Sequence, residues 1–185
     1  MKRKLAAGAL IAACLSVAAY GTTAYFTAQD TVANTITAGN IAITLVDSAS
    51  SREEILVMPG TETAKTVAVE NTGDHPAYIR IRLNNEIRTA EDVEGETDPN
   101  VIDLDINTES WTEKDGYYYY NTALQAGETT APLFTKVCFS REMGNLYQNS
   151  RAVITAYAGA VQSENNGGKA IEAVGWPMSG EEGKK

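Results

Sequence analysis

The chain has 185 residues, of which 43% are hydrophobic and 21% are charged, and this composition suits one globular domain with its own core. Its formal net charge of −9 argues against a nucleic-acid partner, because phosphate binding requires a clustered positive field. Cysteine occurs only as Cys14 and Cys138. Because Cys14 lies in an apolar N-terminal run, we expect no disulfide in the mature domain, and its core alone must stabilise it.

Residues 1–24 have the order of a secretory signal peptide. A basic stretch at positions 2–4 precedes an uncharged run of mostly Ala, Leu, Ile and Val at positions 5–19, and small residues follow. The apolar run is shorter than the ~20 residues that span a bilayer. We therefore predict cleavage between Ala24 and Tyr25, membrane attachment of the precursor only, and a mature protein secreted to the extracellular matrix or the cell surface.

A lipoprotein signal is the alternative at this end of the chain. Residues 11–14 read IAAC, which is similar to a lipoprotein cleavage box at Cys14. The apolar run continues for five residues past Cys14, whereas a lipid-modified cysteine should begin a polar tether. The pattern favours an ordinary signal peptide, and processing at Cys14 stays open.

Alternation of apolar and polar residues dominates the mature chain and predicts half-buried β-strands. The predicted strands cover residues 36–46, 65–70, 77–84, 133–139 and 151–162. Asp115-Gly116 separates WTEK from YYYY and predicts a type I′ hairpin. Helical patterns are limited to single turns at residues 88–93 and 169–174. We therefore predict an all-β fold, an antiparallel β-sandwich of jelly-roll type with very little helix, at residues 41–165, and a polar C-terminal tail at residues 166–185.

Catalytic motifs are sparse in this sequence. His75 is the only histidine and lies in GDHPA, which is typical of a turn. A zinc-protease helix needs two histidines four residues apart, and a serine hydrolase needs a Gly-x-Ser-x-Gly turn; the chain has neither. We therefore predict no catalytic residues.

An acidic segment at residues 91–105 offers carboxylates that are able to bind a hard cation such as calcium. Asp98, Asp103 and Asp105 are the candidate ligands. Their spacing lacks the order of a defined calcium loop, so a solvated acidic loop is the favoured interpretation and no cofactor is predicted.

Four consecutive tyrosines form the second arm of the predicted hairpin, and alternation places Tyr117 and Tyr119 on one face and Tyr118 and Tyr120 on the other. One pair is expected to pack on the core, next to Trp111. We take Tyr118 and Tyr120 as the candidate surface contact for a partner or a glycan. Cys138 is expected to be a buried, inert thiol.

The start of the mature chain and several later segments resemble the TasA/camelysin family, whose precursors are cleaved by a SipW-type signal peptidase. In GTTAYFTAQDTVANTITAGNIAITL, residues 21–45, a small-residue segment leads through an aromatic residue to an Asn-Thr-hydrophobic-x-x-Gly turn and a strand. MPGTETAKTVAVENTGDHPAYIRIRL at 58–83 and NSRAVITAYAGAVQSEN at 149–165 are further similar pieces. The resemblance covers most of residues 1–165.

The resemblance implies a secreted structural subunit of a biofilm-matrix fibre. It implies that residues 25–40 are a donor strand that completes the sheet of a neighbouring copy, with Phe26, Val32 and Ile36 on one face. Residues 26–36 would extend ~36 Å. The implied partners are other copies of the chain, a SipW-type signal peptidase and other matrix proteins. Packing of the segment on its own domain is the alternative.

Two other functions stay open. Camelysin has been classed as a surface metallopeptidase, although this sequence departs from any zinc-site pattern, so we expect no enzyme. An adhesion or glycan-binding module would use Tyr118, Tyr120 and the acidic loop.

Blocking signal cleavage should prevent assembly. The apolar run of an Ala24→Pro precursor would hold the chain at the membrane, so that Phe26 and Val32 cannot reach a neighbouring sheet. We expect the precursor to accumulate in the membrane fraction and the matrix to lack fibres, as measured by immunoblotting and electron microscopy. Normal fibres built from uncleaved precursor would contradict this prediction.

Overall fold

The structure is a computed structural model that describes residues 41–48, 54–90 and 97–177. Several of the predicted site residues lie outside the described residues: Cys14, Ala24, Tyr25, Phe26, Val32 and Ile36. The predictions that concern them stay predictions.

The described residues form nine strands in two antiparallel sheets. The strands are β1 (Ile43–Asp47), β2 (Ile55–Leu56), β3 (Glu62–Asn71), β4 (Ala77–Arg88), β5 (Ile102–Leu104), β6 (Trp111–Lys114), β7 (Tyr117–Tyr120), β8 (Phe134–Phe139) and β9 (Arg151–Gln162). One sheet has the order β1-β3-β8-β5 and the other the order β2-β9-β4-β7-β6. The all-β, antiparallel prediction is confirmed, and the jelly-roll connectivity stays a prediction.

Helical structure in the described ranges consists of three short 3₁₀ helices, Pro99–Val101, Asn145–Tyr147 and Ala170–Glu172. The last of them falls within the helical turn predicted at residues 169–174. The helical turn predicted at residues 88–93 does not begin at Arg88, because Arg88 is the final residue of strand β4. There, cross-strand pairing of Arg88 with Arg151 prevails over a weak helical pattern.

The sheets pack through side chains that alternate along each strand. In β4, Ile79 and Ile81 are fully buried. Arg80 and Arg82 alternate with them and lie on the outer face. Both sheets contribute fully buried side chains to one core: Ile43, Val67, Val69, Phe134 and Val137 from the first sheet, and Ile79, Ile81 and Ala152 from the second. Burial of each large apolar side chain contributes ~1.5–3 kcal/mol.

The tight turn predicted between WTEK and YYYY is confirmed. Trp111 to Lys114 pair with Tyr120 to Tyr117, and Asp115 and Gly116 connect the two arms. The φ angles of these two residues are 54° and 77°. A type I′ turn requires φ above zero at both central positions, which aspartate and glycine adopt at low cost.

A second, smaller apolar cluster lies on the outer face of the five-stranded sheet. Residues 166–177, assigned from the sequence to a polar tail, pack there and bury Ala170 and Ala173. The guanidinium of Arg80 lies 4.0 Å from the ring centroid of Tyr117 and 4.9 Å from that of Trp176. Arg80 Nη2 also donates to the Pro177 carbonyl at 2.8 Å. We call residues 166–177 the strap.

Asn71, at the end of β3, joins three segments through its buried amide. Its Nδ2 donates to the carbonyls of His75 and Leu124, at 2.9 and 3.0 Å, and its Oδ1 accepts from the Gly73 amide at 3.1 Å. The residue is completely inaccessible to solvent. The bonds to the His75 carbonyl and the Gly73 amide give these backbone groups a partner, and the bond to the Leu124 carbonyl adds to the one that this carbonyl accepts from the Ala77 amide.

Replacing Asn71 by alanine should therefore be costly. Asn71→Ala removes partners from two carbonyls and one amide, and we expect a loss of ~3 kcal/mol of unfolding free energy, measured by urea titration. Asn85→Ala is the matched control, because Asn85 Oδ1 is buried without a hydrogen-bond partner among the described residues. The control should lose less than ~1 kcal/mol. Equal losses in the two variants would contradict this account.

Candidate functional site

The long strand β9 is paired very unequally on its two sides. Along one side all twelve residues pair with β4, from Arg151 opposite Arg88 to Gln162 opposite Ala77. Along the other side β2 pairs only with Ala152 and Arg151. In the described part of the chain, residues 153–162 therefore have an unpaired second side, which we call the β9 edge.

The backbone groups that form this edge can be assigned from one hydrogen bond. The Val57 amide donates to the Ser150 carbonyl at 2.9 Å, so the backbone of Ser150 points to the β2 side. Amide and carbonyl groups of alternate residues point to the same side of an antiparallel strand. The even-numbered residues 154, 156, 158 and 160 therefore direct their amides and carbonyls to the β9 edge.

Small side chains line the inner face of this strand. Ala156, Ala158 and Ala160 are 3%, 1% and 2% exposed and belong to the main core. Their methyl groups fill little volume, and β1, at the border of the facing sheet, approaches β9 across the core. Bulky apolar side chains from an additional strand would find small neighbours here.

Of the other border strands, β1 has only five residues, and β5 and β6 have features that oppose strand addition. The border strand β5 has only three residues, and the exposed residues Thr112, Glu113 and Lys114 make up most of β6. Charged side chains and short strands are common protection against edge-to-edge pairing. Residues 153–162 contain neither a charge nor a proline. Among the sheet borders of the described ranges, the β9 edge is thus the longest without such protection.

The β9 edge is not recognisable as a site from the sequence alone. The run VITAYAGAVQ, uncharged over ten residues, was the available signal. The same run is equally typical of a central strand that is paired on both sides. The residue pattern of one strand does not show which strands lie beside it.

The three candidate calcium ligands do not come together. Asp98 Oδ1 accepts from the Asn100 amide at 2.9 Å and caps a 3₁₀ helix, whereas Asp103 lies exposed on β5. Within the described ranges, no group of three or more His, Cys, Asp or Glu residues is arranged to hold a metal ion. Asp98 and Asp105 bind local backbone amides instead. The solvated-loop interpretation stays a prediction, because residues 91–96 lie outside the described residues.

Asp105 has a specific structural role. Its Oδ1 accepts from the amides of Thr135 and Lys136, each at 2.7 Å, and its Oδ2 accepts from the Thr135 hydroxyl at 2.5 Å. Asp105 directly follows β5, so its carboxylate continues the contact of that strand with β8. Desolvation raises the pKa of Asp105, but the hydrogen bonds from Thr135 and Lys136 together outweigh it, and the net pKa is lowered.

The tyrosine faces differ from the expected arrangement. Tyr118 and Tyr120, the candidate surface pair, pack against the main core, and the rings of Tyr120 and Trp111 are 5.0 Å apart. Tyr117 and Tyr119 lie on the outer face, where Trp176 contacts Tyr119 edge-on at 5.6 Å. The alternation of side chains along a strand correctly predicts which tyrosines share a face. Which of the two faces points to the core depends on how β7 sits in its sheet.

The remaining single residues do not form a site. His75 lies in a bend, and its carbonyl accepts from Asn71. Cys138 is half-buried rather than buried, since it faces away from the core side that Val137 and Phe139 occupy. Within the described ranges there is no helix long and apolar enough to cross a membrane.

Comparison with protein-family models, with curated proteins and with solved structures finds no match to this chain. The resemblance to the TasA/camelysin family therefore stands on the sequence segments that carry it.

Asp105 should contribute stability that depends on pH. Because its folded pKa is lowered, the contribution is complete above the unfolded value of about 3.9 and is lost as the pH falls through the folded pKa. We expect Asp105→Asn to lose ~1 kcal/mol at pH 7, since the carboxylate is exposed, and the loss to shrink below about pH 4. Asp103→Asn, on exposed β5, is the control and should be neutral. Urea titration at several pH values measures both, and a pH-independent loss would contradict the assignment.

Proposed function

We propose that this protein is a secreted structural subunit of an extracellular fibre in a biofilm matrix, and that copies join by β-strand addition at the β9 edge. The observation that supports this proposal is the absence of a described partner along residues 153–162 of a twelve-residue strand. Added strands gain main-chain hydrogen bonds to an edge of this kind, and their side chains set the register.

The length of the proposed donor segment suits the edge. Ten residues of β9 extend about 33 Å, and residues 26–36 would extend about 36 Å in the same conformation. Phe26, Val32 and Ile36 share a parity, so in a strand they lie on one face. On the core side of β9 such side chains would meet the small side chains of Ala156, Ala158 and Ala160.

Charge contributes little to the proposed contact. Residues 153–162 carry no charge, and residues 26–36 carry only Asp30. The affinity would come from backbone hydrogen bonds, worth ~0.5–1.5 kcal/mol each, and from apolar burial. Ordering the segment opposes both contributions. Assembly should therefore depend on protein concentration and only weakly on salt. Head-to-tail addition also propagates into open filaments instead of closing into dimers.

Two single-sided variants test the donor and the acceptor separately. Deletion of residues 26–36 removes the donor and keeps the edge. Ala158→Pro keeps the donor and removes one edge amide, at a position where proline costs no hydrogen bond to β4. We expect neither variant to form fibres alone, and their mixture to form heterodimers that do not grow. Size-exclusion chromatography with light scattering and electron microscopy measure this, with circular dichroism to confirm folding.

A pair of aspartate substitutions tests the face of the donor. Val32→Asp places a charge on the proposed buried face and should raise the critical concentration for fibre growth at least about tenfold, equivalent to ~1.4 kcal/mol. Thr31→Asp places the same charge on the opposite face and is the matched control. Fibres from the deletion variant, or equal effects of the two aspartates, would contradict the proposal.

The two alternative functions have separate readouts in the same preparations. Chelator-sensitive cleavage of casein that is lost in His75→Ala would favour a camelysin-type peptidase. Cell-wall or glycan binding by the monomeric deletion variant would favour an adhesion module.

A further inference from the structure

One lysine and one aspartate face each other in the interior of the sandwich. Lys65 Nζ lies 3.0 Å from Asp47 Oδ1 and 2.8 Å from Asp47 Oδ2. The side chains are only 1% and 2% exposed. The other ion pairs described, such as Lys136 with Glu62, are more than 40% exposed on both partners. Asp47 and Lys65 therefore form a buried ion pair that the fibre proposal does not use.

The strands hold these two side chains at fixed positions. Asp47 is opposite Val67 in the β1–β3 ladder, so Lys65 is its diagonal neighbour, within reach of a long side chain. The ladder continues beyond the pair, because the Ser48 amide donates to the Thr66 carbonyl and the Thr66 amide donates to Ser48 Oγ. Lys65 also shares the parity of the core residues Val67 and Val69.

Burial makes the charged form of this pair expensive. Removing an ammonium and a carboxylate from water costs free energy that their mutual attraction often only offsets. Amide formation uses the uncharged amine and the uncharged carboxylic acid, which differ from the ion pair by the position of one proton. A neutral amine is a nucleophile, and the carbon of a protonated carboxyl group is an electrophile.

We propose that Lys65 and Asp47 form an intramolecular amide bond after the chain folds. Nζ attacks the Asp47 carboxyl carbon and forms the new N–C bond, one C–O bond breaks, and the departing hydroxyl takes a proton from the nitrogen and leaves as water. No oxidant, reductant or further reactant is consumed. Nζ lies 3.0 and 2.8 Å from the two oxygens, so the folded chain already holds the reacting groups together, and such proximity accelerates intramolecular reactions.

The bond would convert the costly ion pair into a neutral link between two strands. β1 is a border strand that otherwise depends on its ladder with β3. Cys138 is the one cysteine among the described residues, and its thiol is free. An amide would supply the covalent constraint on the unfolded chain that a disulfide supplies elsewhere. The proposal does not depend on fibre assembly, since a monomer would carry the same bond.

Peptide mapping of the purified full chain tests the bond directly. After denaturation and trypsin digestion, we expect no cleavage after Lys65, so that residues 53–80 stay in one piece. That piece should be joined to the peptide that contains Asp47 and ends at Arg52, with a mass one water below the sum of the two. Quantitative cleavage after Lys65 and two separate peptides of full mass would overturn the proposal.

Two controls assign the bond to its residues and to burial. Lys65→Met keeps the length of the side chain without the amine and should remove the branched species; a branched species that persists would show that Lys65 is not the donor. The exposed pair of Lys136 and Glu62 has the same chemistry in water. Normal cleavage after Lys136 in the same digest is expected, and a cross-link there as well would overturn the argument from burial.

Discussion

The pairing of β4 with β9 over their full length is the constraint on which the rest of the molecule depends. Twelve consecutive residue pairs, from Ala77 with Gln162 to Arg88 with Arg151, fix both strands in one register. That register places Ile79 and Ile81 in the core and Arg80 under the strap. It also occupies one whole side of β9, and so leaves the other side for any further strand. A one-residue slip would reverse every one of these assignments.

Buried or bonded polar groups complete this framework where the backbone ladders end. Asn71 satisfies backbone groups at one end of β3, and the Asp105 carboxylate accepts amides of β8 just past the last residue of β5. Lys65 and Asp47 meet beside the other end of β3. Asn71 and Asp105 bind main-chain groups at a strand end, where the ladder stops, whereas Lys65 and Asp47 bind each other. Hydrogen bonding therefore determines which residue types fit at these polar positions. At the apolar core positions between them, the side-chain volume determines which residue types fit.

Much of the strand content could be predicted from the sequence, because alternation and turn chemistry are local. Asp115-Gly116 determined a hairpin by itself, and residues 151–162 coincide with β9. Which strands pair, and which face of a strand points inward, depend on distant residues; Tyr118 and Tyr120 were assigned to the surface for this reason. The β9 edge was invisible for the same reason, since an edge is defined by a missing neighbour. The carboxylates of Asp98 and Asp105 looked like ligands because their backbone partners were unknown.

Gly159, in the middle of β9, links the strap to the edge strand. A side-chain carbon at this position would lie 3.3 Å from Pro177 Cγ and 3.8 Å from two atoms of Arg80, so the strap crosses the strand closely and a side chain here would crowd Pro177. Pro177, the last residue that the structure describes, therefore lies next to β9. The β9 edge is the side of this strand that has no partner in the described part of the chain. A fluorescent group attached after Pro177 would begin next to that strand. Its emission would report the arrival of a neighbouring strand without any label on the strand itself.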